Sequence, residues 1–308
     1  MLDKKINYGE LDTEHGVLQY EISESGVKIT GHRGRDIEVT VPEMIDACPV
    51  TCIGKKAFLS NKMIRQIALP GSVVQIEDWA FAYCSKLSKI LIPYHRIEIG
   101  QGIFKDCPLL EQIVDGRGQE QDAKTTDVSY LLAAVMSRLD AFYLFDFENA
   151  GKAEWIAQWD ARMQSLMQLE DAEGFSKMLL CGEEDYGSRE NNLDYYMEQR
   201  RRDKASLAML RLMHGFGLQQ PVQKELTRYL LSHVKGEPTE ETWKVVLEEH
   251  GDDLRYYQFL TEIGGVHADN FQAMMEDMGA EHTEMKAYLM NYYSKIRTTE
   301  DLFADFEL

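Results

Sequence analysis

The residue groups in this chain that could do chemistry are few, and each lacks part of the pattern its chemistry needs. Glu183-Glu184-Asp185 and Glu248-Glu249-His250-Gly251-Asp252-Asp253 are rich enough in oxygen to hold a hard cation. Neither has the alternating ligands and terminal Glu of a calcium loop. The second group suits a solvated helix end, with His250 near a C-terminus where positive charge complements the dipole. The eight histidines form no H-E-x-x-H motif and no cluster with cysteine. Cys48 and Cys52 stand four apart without a second pair, unlike the paired spacings of structural zinc. Gly100-Gln101-Gly102 and Gly215-Phe216-Gly217 lack the rest of a phosphate-binding fingerprint and are expected to be turns. No G-x-S-x-G elbow occurs, so nucleophilic serine chemistry has no support.

Arg200-Arg201-Arg202-Asp203-Lys204 is a basic island. Arg200, Arg201 and Arg202 are therefore a candidate site for carboxylate or phosphate, because guanidinium donors are bidentate. A helical face paired with Glu198 and Asp203 is the competing expectation. An enzyme would have to build its site where the two parts of the chain meet, from residues such as Glu183, Tyr186 and His214, which no motif joins. The expectation is therefore no catalytic residue, no metal and no cofactor.

The elements that would position any site are dominated by an internal repeat. Ile53-Gly54-Lys55-Lys56-Ala57-Phe58, Ile76-Glu77-Asp78-Trp79-Ala80-Phe81 and Ile99-Gly100-Gln101-Gly102-Ile103-Phe104 recur every 23 residues. The same register matches Asn61, Cys84 and Cys107, then Ile64, Leu87 and Leu110, then Ile67, Ile90 and Ile113. Leu69-Pro70 also matches Ile92-Pro93. A unit this short cannot bury its own apolar face, so the copies must stack and share one core. Ile64-x-x-Ile67-x-Leu69 alternates as a short half-buried strand does, and the proline ends it by removing a ladder donor. Asn61, Cys84 and Cys107 should point inward, the amide satisfying backbone groups and the thiols acting as compact apolar filler.

Ile-Gly-x-x-Ala-Phe followed by Ile-x-Leu-Pro at this period resembles the BspA-type leucine-rich repeat. Tyr20 to Thr30, Val39 to Pro42 and Pro49 to Gly54 resemble the opening of such arrays, so the resemblance covers about residues 16 to 116. It implies a β-rich solenoid used for binding, in many members at a cell surface. In such a solenoid the strand residues between the inward ones form a parallel face for ligands. These are Gln66, Lys89 and Gln112, beside Ala68, Leu91 and Val114. Leu91 and Val114 are apolar where solvent is expected, which predicts that the helical part or a partner covers them.

After Gly118 the period changes. Val128, Leu131, Leu132, Val135, Met136, Leu139, Phe142 and Tyr143 recur at helical spacing, as do Trp155, Ile156, Trp159, Met163, Leu166, Met167 and Leu169. Further helices are expected at about 173–181, 191–214, 220–234, 239–250, 253–263, 268–278 and 282–295. Gly182, Gly236, Gly251 and Gly279 fall where C-caps are wanted. The last four helices form two hairpins from about 239, similar to an ankyrin-like tail without its Thr-Pro-Leu-His signature. The expected fold is α+β: a leucine-rich-repeat β-solenoid over 1–118 and an all-α helical-hairpin domain over 119–308.

Charge follows the same division. The net charge is −19, yet residues up to Gly118 hold 14 basic and 16 acidic side chains, leaving −17 for the rest. Such a surface repels phosphate backbones and anionic headgroups, so nucleic acid and membrane are poor partners. The first ten residues carry no apolar run of a secretory signal, and the five cysteines are an odd number. Both point to a cytoplasmic protein with reduced thiols. The expected function is a non-catalytic protein–protein interaction module of unknown partner. A surface adhesin whose leader is missing here and an enzyme with an unrecognised site are the alternatives.

Overall fold

The computed structural model describes residues 7–93, 95–115, 123–171 and 193–304, and packing divides the chain into Met1–Gln164 and Ser165–Leu308. Composition breaks near residue 118, whereas the packing division keeps the first helix and most of the second with the repeat. The reason is α1 (Ala123–Ser137), which lies against the last repeat strand.

The chain opens as an antiparallel meander of β1 (Asn7–Asp12), β2 (Gly16–Ser23) and β3 (Gly26–Gly34). Next come β4 (Glu38–Thr40) and the hairpin of β5 (Met44–Ile45) with β6 (Cys48–Ile53). Asp46 and Ala47 close that hairpin with φ of 49° and 59°, the left-handed pair that matches strand twist in a two-residue turn. Each repeat then adds one short strand to each of two sheets. β8 (Gln75–Ile76) and β10 (Glu98–Ile99) extend the path β3-β6-β8-β10 in parallel. β7 (Gln66–Ala68), β9 (Lys89–Ile92) and β11 (Gln112–Asp115) stack on β4 as the second, four-stranded parallel sheet.

The 23-residue spacing becomes exact pairing: Ile53 faces Ile76 and Ile76 faces Ile99 on one sheet, while Ile67, Ile90 and Ile113 align on the other. Ile53, Ile64, Ile67, Ile76, Leu87, Ile90 and Ile113 are fully buried. Between the sheets, Phe58, Phe81 and Phe104 stack with centroids 5.4 and 5.5 Å apart. His32 stacks on Phe58 at 5.8 Å and so begins the column one rung before the phenylalanines. Loss of Phe81 would open a cavity between two neighbours, at a cost of about 3–5 kcal/mol.

In the other unit, α3 (Leu193–Met213) contacts α4 (Gln220–Leu231) and α5 (Glu241–Lys244), and α5 continues into a π-helical turn, Val245–Glu249. α6 (Leu254–Glu262), α7 (Ala268–Asp277) and α8 (Thr283–Ala304) complete it, with α8 touching both α6 and α7. α2 (Ala153–Met167) precedes them. Gly236 and Gly279 take the positive φ of caps, whereas Gly251 serves close approach, because a Cβ there would meet the Leu247 carbonyl at 2.4 Å. α1 ends at Ser137, before the expected 143: Asp140 turns left-handed at φ 46°, and Phe142–Leu144 form a separate 3-10 turn. The expected helix 173–181 and Gly182 lie outside the described residues.

Lys56, Trp79 and Gly102 occupy one repeat position, all left-handed, with φ of 61°, 61° and 60°. A side chain there costs about 1 kcal/mol in strain. Lys56→Gly is expected to raise stability by about 0.5 kcal/mol once the added freedom of the unfolded chain is deducted, measured by urea unfolding; a lower midpoint would remove the strain account.

Candidate binding face of the repeat

The four-stranded sheet presents its columns as the spacing requires. Strand β4 adds a rung that the 23-residue period conceals, since Glu38 pairs with Gln66 and Thr40 with Ala68. One column is therefore Glu38, Gln66, Lys89, Gln112 and the other Thr40, Ala68, Leu91, Val114. Glu38 and Thr40 are exposed, and Gln66, Ala68, Lys89, Leu91 and Gln112 half-buried. Val114 is buried, on the strand that α1 packs against. The strand face is thus open at its first three rungs and closed at its last apolar position.

The opposite flank holds an open cleft of about 380 Å³ along β8 and β10. Its carboxylates are held by bonds within the repeat. Glu77 accepts from Lys28 Nζ at 2.9 Å and from the Lys55 amide at 2.7 Å. Burial would raise its pKa, but these donors hold it below the ordinary value. Asp78 is lowered chiefly by the Gln101 amide, 2.9 Å away, and also by Lys55. Two carboxyls held ionised cannot act as general acids near neutral pH. Cys52 Sγ lies beside Gln75 Oε1 at 3.7 Å, and burial, reinforced by Glu77, pushes its thiol up to about 12. The repeat thiols Cys84 and Cys107 are buried and donate to the Phe58 and Phe81 carbonyls, each at 3.1 Å. They fill the core and also bond one rung to the next. Asn61 at the same position accepts from the Met63 and Ile64 amides.

A buried polar group at the solenoid's start escaped the repeat-based reading. Asp36 accepts from Thr13 Oγ1 at 2.7 Å, the His15 amide at 2.7 Å and His32 Nε2 at 2.8 Å. Asn61 Nδ2 lies 3.1 Å from His32 Nδ1, and because Asn61 Oδ1 already takes two amides, Nδ2 is the donor. His32 therefore carries its proton on Nε2, toward Asp36. The pair resembles the base of a hydrolase, but His32 and Asp36 side chains are 0% and 1% exposed and the imidazole lies on Phe58. It fastens the meander to the first repeat. The His/Asp spacing of four was its sequence signal.

The basic island on α3 is spent internally. Arg201 reaches Glu241 at 2.7 Å, Arg202 reaches Glu248 and Glu249 at 2.6 and 3.1 Å, and Lys204 pairs with Asp171 at 2.9 Å while also donating to the Leu169 carbonyl. Arg200 donates to the Glu170 carbonyl and to Tyr196. Glu198, expected to pair within α3, binds Lys244 at 2.7 Å instead. The carboxylates of 248–253 are likewise occupied: Asp253 caps α6 through the Arg255 amide and Asp252 meets His282 at 2.7 Å. His214 closes α3, its carbonyl accepting from Arg211, while Glu183, Glu184, Asp185, Tyr186 and Cys181 lie outside the described residues. Among the described residues no three metal-ligating side chains converge, and no helix is long and apolar enough to cross a membrane.

This geometry of paired short strands and stacked phenylalanines agrees with the family comparison, in which residues 39–117 match the BspA type leucine rich repeat region in six copies. Residues 39–117 are a BspA-type leucine-rich-repeat region. Among solved structures, the chain is similar to a Treponema pallidum leucine-rich repeat protein (33% identity, TM-score 0.32), covering 35% of this chain and 51% of that one. It thus spans about half of that relative. A leucine-rich repeat protein from Bacteroides capillosus gives 23% identity and TM-score 0.28, over 37% of this chain and 87% of that one. A leucine rich cell surface protein from Faecalibacterium prausnitzii gives 21% and 0.28, over 35% and 30%. No curated protein matches the chain. BspA-type repeat proteins are generally protein-interaction or surface modules and generally not enzymes.

Two outcomes test this description of the BspA-type unit. Iodoacetamide at pH 8 should label half-exposed Cys48 well before Cys52, Cys84 and Cys107, as read by peptide mass mapping; early labelling of Cys52 would contradict its burial. Burial raises the Asp36 pKa, yet its three donors hold it below the ordinary carboxylate value. Its stabilisation is present above that value and is lost as pH falls through the lower folded one. Asp36→Asn should therefore flatten the fall in urea midpoint between about pH 5 and 2; an unchanged slope would show that Asp36 is not ionised in the fold.

Proposed function

We propose that this protein is a non-catalytic protein–protein interaction module whose ligand face is the four-stranded parallel sheet. The observation that carries this is the registered pair of columns over a rigid core, Glu38-Gln66-Lys89-Gln112 beside Thr40-Ala68-Leu91. Polar and apolar side chains held side by side by strand register suit recognition, because a preformed surface has less ordering entropy to lose on binding. Among the described residues, Glu77, Asp78, Cys84, Cys107, Arg201 and Arg202 are each held by bonds inside the protein.

Location inside the cell is part of the proposal. It is supported by Cys48, Cys52, Cys84 and Cys107, all free thiols, which suits a reducing compartment. The test begins with capture of partners from the source cell by the tagged full-length chain, followed by titration of the partner obtained. Lys89→Glu with Leu91→Asp should weaken binding by about tenfold or more. Val74→Asp, an exposed change on another surface, should leave it intact. Equal losses in both variants, or none in the first, would overturn the strand-face assignment.

A further inference from the structure

Cations are used differently in the helical unit and at the corners of the repeat. In the helical unit, Arg201, Arg202, Lys204, Lys235, Lys244 and Arg255 each hold a carboxylate. In the repeat, no ion pair with another described residue reaches Lys56, Lys62, Arg65 or Lys86, which are all exposed. These four lie in the turn-and-corner segments that lead from one sheet to the other in each rung. Across the three copies, 55–65, 78–88 and 101–111, those segments hold six basic and three acidic residues, in a chain of net charge −19. Of the acids, Asp78 already binds Lys55 at 3.4 Å, and of the bases Lys105 lies over the Trp79 ring at 5.3 Å.

The same segments expose apolar side chains: Leu59 is 37% accessible, Met63 38%, Tyr83 42% and Leu109 52%. Register joins these residues into a surface. Met63, Lys86 and Leu109 share one repeat position, as do Ser60, Tyr83 and Asp106. Backbone bonds fix the stacking on both sides of the corner. Ser60 N donates to the Ala82 carbonyl and Tyr83 N to the Lys105 carbonyl, while Ser88 N donates to that of Arg65 and Glu111 N to that of Ser88. Adjacent rungs are about 4.8 Å apart, so the strip is a short ridge with cations and large apolar groups interleaved.

From these observations we infer that this corner strip binds an acidic, amphipathic segment of a partner protein. Unpaired cations beside exposed leucine, methionine and tyrosine offer the segment's carboxylates a counter-charge and its apolar side chains a place to be buried. Polyphosphate ligands fit less well, because the whole chain is strongly negative and the strip holds only a few free cations among apolar groups. The strip is distinct from the strand face and does not depend on it.

The test uses the full-length chain and a dye-labelled peptide of glutamate and leucine, with leucines spaced three and four apart, followed by fluorescence anisotropy. The peptide should bind, weaken as salt rises, and lose about tenfold in affinity with Lys62→Glu/Lys86→Glu and again with Met63→Ser/Leu109→Ser. Leu91→Asp on the strand face should leave its affinity unchanged. All four changes are at surface positions outside the buried core, and unaltered thermal unfolding would verify that the fold persists. Equal binding of a scrambled peptide with no leucine face would overturn the inference, as would tighter binding of duplex DNA or phosphatidylserine vesicles. So would loss through Leu91→Asp alone, or self-association abolished by Lys62→Glu/Lys86→Glu, which would make a second copy the occupant.

Discussion

Everything in the repeat unit depends on one constraint: a 23-residue turn has too little interior to bury its own apolar face, and becomes stable only against an identical neighbour. Backbone bonds between rungs enforce that identity, because parallel strands accept a neighbour only in register. With register set, like side chains must stack on like. The isoleucine columns and the phenylalanine stack are the result, and the cysteine thiols that reach back to the preceding rung's phenylalanine carbonyl act in the same direction. The outward strand columns are the solvent side of this one constraint.

The sequence made legible what repeats. Ile53, Phe58, Cys84 and Ile67 could be placed because two other copies occupied the same positions, and their burial follows directly from stacking. What does not repeat was not legible. Glu38 and Thr40 join the strand face through pairing with Gln66 and Ala68, yet they precede those partners by 28 residues, and the period hides them. His32 takes a phenylalanine's place in the stack without being one, so no alignment of copies could find it. The arginine island was visible as composition, but its partners Glu241, Glu248 and Glu249 are some forty residues away and on other elements, beyond local pairing rules. The end of α1 was misplaced for a related reason: Leu139, Phe142 and Tyr143 keep helical spacing while a left-handed Asp140 breaks the helix.

Electrostatics divides the molecule by use as well as by amount of charge. The helical unit places many of its cations against its own carboxylates, joining α3 to α5 and to the π-helical turn through one buried pair, Arg201–Glu241, and more exposed ones. The repeat draws its cohesion mainly from apolar columns and backbone bonds, and the corner cations Lys56, Lys62, Arg65 and Lys86 hold no carboxylate among the described residues. A charge that contributes nothing to the fold is one that association can use.

The two ends of the stack differ in kind, and this bears on how such a protein changes length. Internal rungs are interchangeable, since each offers the same donors and acceptors to the next. The front is closed by the His32–Asp36–Asn61 bonds and the rear by α1 lying on β11. Duplication or loss of a whole 23-residue unit between them would leave both ends and every internal junction intact. The array can therefore lengthen or shorten by recombination in steps of one rung, and with it the length of its outward strand face, while any insertion that is not a full period would fracture the columns.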